Sequence, residues 1–248
     1  MAQSSNIEWT DVTWNPVSGC TKISPGCDHC YAERFAERWR GIPNHPYEAG
    51  FDLRLHPSRL DQPLKLKRPS AIFVNSMSDL FHKDIPVEFL DQVFQVMEAA
   101  PWHRFQVLTK RSSLLRRYVN KRYEGRAAPA HIWLGVSLEN CEQLSRIRHL
   151  QATAATVRFV SAEPLLGPLE DLDLSGIHWL IAGGESGPRA RRVEADWVRS
   201  LRDQCKAAGV AFFFKQWGGR TPKHGGRELD GREWSEVPAV SPGQRKAA

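Results

Sequence analysis

The chain has 248 residues, enough for one large α/β domain with a sizeable core, and 41% hydrophobic against 25% charged residues marks a globular protein. No apolar run approaches the ~20 residues that span a bilayer, and residues 1–6 are too polar for a signal peptide, so the expectation is a cytoplasmic protein with no membrane partner. The formal charge of +6 fits an anionic partner such as nucleic acid, without requiring one.

In chain order, a β-prone piece at 8–14 precedes a loop holding Cys20, Cys27 and Cys30, and 28–40 is patterned as the helix that follows it. Short runs rich in Val, Ile, Phe and Trp then predict buried strands at 71–75, 105–109, 132–137, 157–161, 178–182 and 210–215. Amphipathic helices fall between them at 87–99, 112–122, 139–149 and 194–208, the last stopped by Gly209. Strand–helix alternation predicts a parallel sheet with crossover helices, hence a (β/α) barrel, complete or partial, over residues 1–218. A doubly wound open sheet is the alternative. From residue 219 the composition turns to Gly, Arg and Pro, predicting a C-terminal extension: a hairpin turning at Asp230-Gly231, then disorder beyond Pro238.

Five cysteines are an odd number, and three of them fall within residues 20–30. Such spacing in a cytosolic chain points to metal or catalytic chemistry rather than to disulfides. Cys27 and Cys30 form a C-x-x-C pair, with Cys20 seven residues earlier across a loop bent by Pro25 and Gly26. Three thiolates can hold three irons of a four-iron cluster and leave the fourth open to an exogenous ligand. Structural zinc wants four protein ligands, and His29 would supply the fourth only awkwardly from between two cysteines. Cys141 and Cys205, in predicted helices, read as plain buried thiols.

Polar residues gather where the predicted strands end: Asn75 and Ser76, Lys110, Ser137, Glu163, Gly183-Gly184-Glu185, and Lys215. In parallel α/β folds these carboxyl ends share one face, which holds the active site. Glycines after a strand let a backbone approach a ligand and offer N–H groups to an anion. Two Lys and two Glu at strand ends also suit a zwitterionic ligand that pairs with both signs. The basic residues Arg111, Arg116, Arg117, Arg189, Arg191 and Arg192 are placed to meet phosphates, and Trp9 and Trp14 are candidates for base stacking against the alternative of core packing.

The segments Ile7-Glu8-Trp9-Thr10-Asp11 and Thr13-Trp14-Asn15-Pro16, the cysteine loop with Cys30-Tyr31-Ala32-Glu33, and the strand-end motifs 73–81, 106–111, 133–137, 163–167, 183–187 and 214–218 resemble an uncharacterised, phage-associated three-cysteine-motif family. The likeness runs from about residue 7 to 238 and carries no assigned reaction. More distantly the chain resembles the radical S-adenosylmethionine enzymes, which share the three-cysteine loop, an aromatic beside its last cysteine (here Tyr31) and a partial or full barrel. Their usual first gap has three residues, where this chain has six. That likeness implies a [4Fe-4S] cluster on Cys20, Cys27 and Cys30, whose open iron takes the amino and carboxylate groups of S-adenosylmethionine. It further implies cofactor contacts among Tyr31, Asn75, Ser76, Lys110, Ser137, Glu163, Gly183, Gly184, Glu185 and Lys215, an electron-donor protein as partner, and a substrate to be modified or repaired, nucleic acid being the candidate. The rival reading is a nucleic-acid-binding or regulatory protein whose iron–sulfur or zinc site is only structural.

Overall fold

Seven strands lie parallel and side by side in the computed structural model, which describes residues 3–239: β2 (Val12–Trp14), β5 (Ala71–Val74), β6 (Arg104–Thr109), β7 (Ala128–Ser137), β8 (Ala155–Ala162), β9 (Trp179–Gly183) and β10 (Ala211–Gln216). The disorder expected beyond Pro238 falls mostly on residues 240–248, outside the described residues. A short strand β1 (Gln3–Ser4) pairs antiparallel on the free side of β2. Strands β3 (Val17–Ser18) and β4 (Arg54–Leu55) form a separate pair in the crossover from β2 to β5, which also carries helices α1 (Tyr31–Glu37) and α2 (Gln62–Lys65). Because the strands follow one another across the sheet in chain order, there is no reversal point as in a doubly wound sheet. The sheet instead curls into a half-barrel with helices on its outer face, as the strand–helix alternation predicts.

The strands read as continuous apolar runs because both faces are covered. Alternate residues divide between two cores. Ile72 and Val74, Leu134 and Val136, Leu180 and Ala182, and Phe212 and Phe214 face the outer layer, where α3 (Val87–Ala99), α4 (Ser112–Tyr123), α5 (Ser145–Gln151) and α6 (Ala195–Ala208) pack. Phe73, Trp133, Phe159, Trp179, Ile181 and Phe213 point the other way and, with Trp9, fill the concave side. Helix α3 buries Phe89, Leu90, Val93, Phe94 and Met97, the stripe that its sequence period predicts. Helix α6 ends at Gly209, whose φ of +66° supplies the left-handed cap.

Two expectations are corrected here. The helix predicted at 139–149 begins only at Ser145, because Glu139 is fully buried as an ion-pair acceptor and residues Cys141–Gln143 form a single 3-10 turn capped by Asn140. Cys141 is consequently exposed, whereas Cys205 is buried on α6. After β10, strands β11 (Glu228–Leu229) and β12 (Arg232–Glu233) form a hairpin around Asp230-Gly231. Among the described residues no helix is long and apolar enough to cross a membrane.

Candidate functional site

With all seven strands parallel, their carboxyl ends form one edge of the half-barrel, and the cysteine loop lies across it. Gly19 pairs with Ser78 after β5, Arg111 after β6 reaches Cys20, Glu139 after β7 accepts from Ser24, and Glu185 after β9 accepts from His29. The Tyr31 hydroxyl, at the start of α1, donates to the Ser76 carbonyl. The loop is therefore tied to the ends of four different strands.

Three charged hubs make those ties. Glu139, with no solvent exposure, accepts from Lys110 Nζ, from Arg146 Nη1 at 2.8 Å and from Ser24 Oγ at 3.0 Å. Burial pushes its carboxyl up, but the two cations outweigh that and hold it below the ordinary glutamate range. The loop lies so close here that a Cβ on Gly26 would meet Glu139 Cγ at 2.4 Å. The second hub is Asp79, which accepts from Thr109 Oγ1 at 2.7 Å and from Arg111 Nη1 at 3.1 Å. Arg111 in turn donates to Cys20 Sγ at 3.4 Å and to the Thr21 carbonyl at 3.0 Å. At the third, Arg191 donates to both oxygens of Glu185 and to the Pro25 carbonyl at 2.9 Å, while His29 Nδ1 shares Glu185 at 2.9 Å. Burial pushes the Glu185 carboxyl up, yet hydrogen bonds from Arg191 and His29 prevail and lower it to about 2.

The thiols of Cys20, Cys27 and Cys30 are free and half-buried. Burial raises the pKa of Cys20 and of Cys30, and the field of Cys27 adds to both, so Cys27 lies within electrostatic reach of each of the other two sulfurs. Among the described residues no three His, Cys, Asp or Glu side chains already converge to hold a single ion. The donor set is nevertheless three soft thiols on one anchored loop, the chemistry that iron–sulfur clusters use. His29, the candidate fourth zinc ligand, has one ring nitrogen committed to Glu185. Cys205 is pushed up to about 12 by burial and lies on α6, away from the loop.

The strand-end residues share this edge. Asn75 is 2% exposed and sits at φ +60°, a left-handed conformation rare outside glycine, and its Nδ2 has no hydrogen-bond partner. Ser76 donates to Asn15 Oδ1 at 3.2 Å. Ser137 is buried, its carbonyl accepting from Arg146 at 2.9 Å. Lys215 pairs with Glu163 at 3.0 Å, and Ser161 Oγ donates to the same carboxylate at 3.1 Å. Glu163 also lies against Gly183, and a Cβ on Gly184 would meet the Trp217 carbonyl at 2.0 Å, so Gly184 is where two backbones cross. The four charges expected to await a zwitterion are instead paired within the protein: Lys215 with Glu163, Lys110 with Glu139, and Glu185 with Arg191. Trp9 and Trp14 are core residues at 6% and 0% exposure, not stacking surfaces.

Sequence reading passed over the anchoring roles of Asn15, Asp79, Arg111, Glu139, Arg146 and Arg191. Their one visible signal is that Asp79, Arg111 and Glu139 each stand within a few residues of a strand end.

This geometry has relatives in fold. The chain is similar to the solved structure "Spore photoproduct lyase complexed with dinucleoside spore photoproduct", at 13% identity and a TM-score of 0.50, over 82% of this chain and 63% of that one. A mutant of the same lyase with bound AdoMet and dinucleoside spore photoproduct matches with the same TM-score, identity and coverage. The chain thus spans a little under two thirds of the lyase's length. No curated protein sequence matches it. From residue 4 to residue 238, across the half-barrel, the cysteine loop and the C-terminal hairpin, the sequence fits one family model, and the chain belongs to that family, described as "Protein of unknown function (DUF5131)".

Proposed function

We propose that this chain is an iron–sulfur protein of the radical S-adenosylmethionine type, acting on nucleic acid. Cys20, Cys27 and Cys30 would hold a [4Fe-4S] cluster, leaving one iron for S-adenosylmethionine. The observation that carries the reading is the loop itself: three free thiols laid over the carboxyl edge of a parallel half-barrel and anchored there at four strand ends. The fold's likeness to a lyase solved with AdoMet and a dinucleoside supports both the cofactor and the substrate class. When bound, the cluster supplies the electron that cleaves the sulfonium bond of S-adenosylmethionine.

The protein's own residues then bind and orient. The unpartnered Asn75 Nδ2 is a donor for the cofactor, the Tyr31 hydroxyl bonded to the Ser76 carbonyl forms a wall beside Cys30, and Ser137 lines the same edge. Glu163 and Lys215 are each other's partners in this state and can exchange that bond for an ammonium or a carboxylate of a ligand. Gly183 keeps the Glu163 side of the edge free of a side chain, and Gly184 lets the chain at Trp217 cross close behind it. Lys110 and Glu185 hold the loop in place through Glu139 and Arg191.

The test is anaerobic reconstitution, with about four irons expected per chain, followed by reductant and S-adenosylmethionine and a chromatographic assay for 5′-deoxyadenosine. Formation of deoxyadenosine supports the enzyme. Tight iron or zinc with no cleavage would favour the purely structural site.

A further inference from the structure

Helix α1 and the turn after it carry an aromatic stripe on their outside. Tyr31, Phe35 and Trp39 follow at intervals of four residues and are 52%, 44% and 37% exposed. The rings are held by their neighbours: Phe35 meets Tyr47 edge-on at 5.5 Å and Trp39 at 6.4 Å, and Trp39 stacks on His45 at 4.2 Å with 17° between planes. Rigid apolar rings facing water along about 12 Å of helix call for a partner.

The neighbouring stripe is basic. Arg34 and Arg38 sit one helical turn apart, and Arg34 donates to the Ser186 carbonyl at 3.1 Å, which brings the loop carrying Arg189 alongside. Gly187 donates to the Gly219 carbonyl at 2.8 Å, adding the loop with Arg220. Among the described residues none of these four arginines has a carboxylate within ion-pair distance, whereas the carboxylates on α1 are matched: Glu33 by Lys22 at 2.9 Å, and Glu37 by Arg40 at 2.6 Å. Bare rings beside uncompensated guanidiniums match a polymer that alternates bases with phosphates. An acidic protein would answer the arginines and leave the ring stripe without a counterpart. Tyr31 begins the stripe and bonds to Ser76 at the sheet's carboxyl edge, so a strand lying along it has one end at the cysteine loop.

We infer that this face of α1 seats an unpaired nucleic-acid strand, with bases on Phe35 and Trp39 and phosphates at Arg34, Arg38, Arg189 and Arg220, delivering the reacting nucleotide to the loop. The inference rests on the preceding reading that the substrate is a nucleic acid. Its test is fluorescence anisotropy with an oligonucleotide of about 12 nucleotides, as DNA and as RNA, unpaired and in duplex, on the full chain. The unpaired probe binds more tightly than the duplex. Phe35→Ala with Trp39→Ala weakens it about tenfold or more, and Arg38→Gln with Arg189→Gln lowers the slope of log affinity on log salt by about 1.4. Iron content and cleavage of S-adenosylmethionine without oligonucleotide stay at wild-type levels in all four substitutions. If the wild type cleaves S-adenosylmethionine but neither probe chemistry prefers the unpaired form, or the variants bind as the wild type does, this inference is overturned and the cofactor reading stands. If instead the substitutions slow reduction by a flavodoxin while oligonucleotide affinity holds, the face belongs to an electron donor. A wild type that holds iron without cleaving S-adenosylmethionine fails the earlier reading, independently of any oligonucleotide result.

Discussion

Arg111 bonds at once to Cys20 Sγ, to Asp79 and to both oxygens of Thr21. A guanidinium proton on a cluster thiolate stabilises the more negative, reduced state, so this contact bears on redox potential as well as on loop position. Arg111→Met is therefore expected to shift the cluster's midpoint to more negative values, on the order of 50 mV, with Arg111→Lys in between. A redox titration followed by electron paramagnetic resonance reads this directly, and an unshifted midpoint would show that the sulfur contact does not survive loading. The cysteines divide sharply in the same test. Replacing Cys20, Cys27 or Cys30 by Ala removes one of three thiolates and should abolish iron uptake, whereas Cys141→Ser and Cys205→Ala should retain it. Alkylation of the native protein should label the exposed Cys141 at once and spare the buried Cys205.

Between residue and fold, the cysteine loop is an element with almost no regular structure, held by charge. The Glu185 carboxylate, 6% exposed, is lowered from about 4.5 to about 2 by Arg191 and His29 against the opposing effect of burial. A depressed folded value means that the stabilisation is fully present above the unfolded value near 4.5 and disappears as pH falls towards 2. Urea unfolding should show Glu185→Gln less stable than wild type at neutral pH by on the order of 2–3 kcal/mol, the gap closing between pH 4.5 and 2. A gap independent of pH would mean that Glu185 acts by packing alone. The long-range partnerships were not legible in the sequence, since Ser24 and Glu139 are 115 residues apart and His29 and Glu185 are 156 apart. The same blindness explains α5: a glutamate followed by an amphipathic run reads as a helix start, and only the half-buried Lys110 and the buried Arg146 turn Glu139 inward. Helix α3, by contrast, runs over 87–99 as expected, because its apolar period and Pro86 need no distant partner. The exposed ring stripe on α1 was readable from its spacing of four, but attention to Trp9 and Trp14 pointed to residues that a parallel sheet buries.

At the scale of the molecule, a half-barrel has two open edges, and each is covered by an antiparallel segment. On one side β1 pairs with β2. On the other, Phe214 N donates to the Trp234 carbonyl at 2.9 Å and Glu236 N to the Phe212 carbonyl at 3.1 Å, so the chain after the C-terminal hairpin runs along β10. Uncovered strand edges template aggregation, which gives this short, Gly- and Arg-rich stretch a structural reason. The apolar runs of the sheet were legible because each is local, and the strand–helix alternation carried the parallel arrangement with them. The edge cover was not, because composition cannot show that a single tryptophan in a polar stretch packs back on Phe212 of β10. Trp234 is 7% exposed, donates Nε1 to the Leu229 carbonyl at 3.2 Å, meets Phe212 edge-on at 5.9 Å and has the Arg232 guanidinium 3.5 Å above its ring. Trp234→Ala should cost about 3–5 kcal/mol, lowering the urea midpoint followed by circular dichroism and promoting aggregation as the β10 edge opens. Trp39→Ala, at a ring that is 37% exposed, should stay within about 0.5 kcal/mol of wild type. Equal midpoints for the two variants would mean that the C-terminal segment is not an edge cover, and that β10 is stable with its hydrogen-bonding groups facing water.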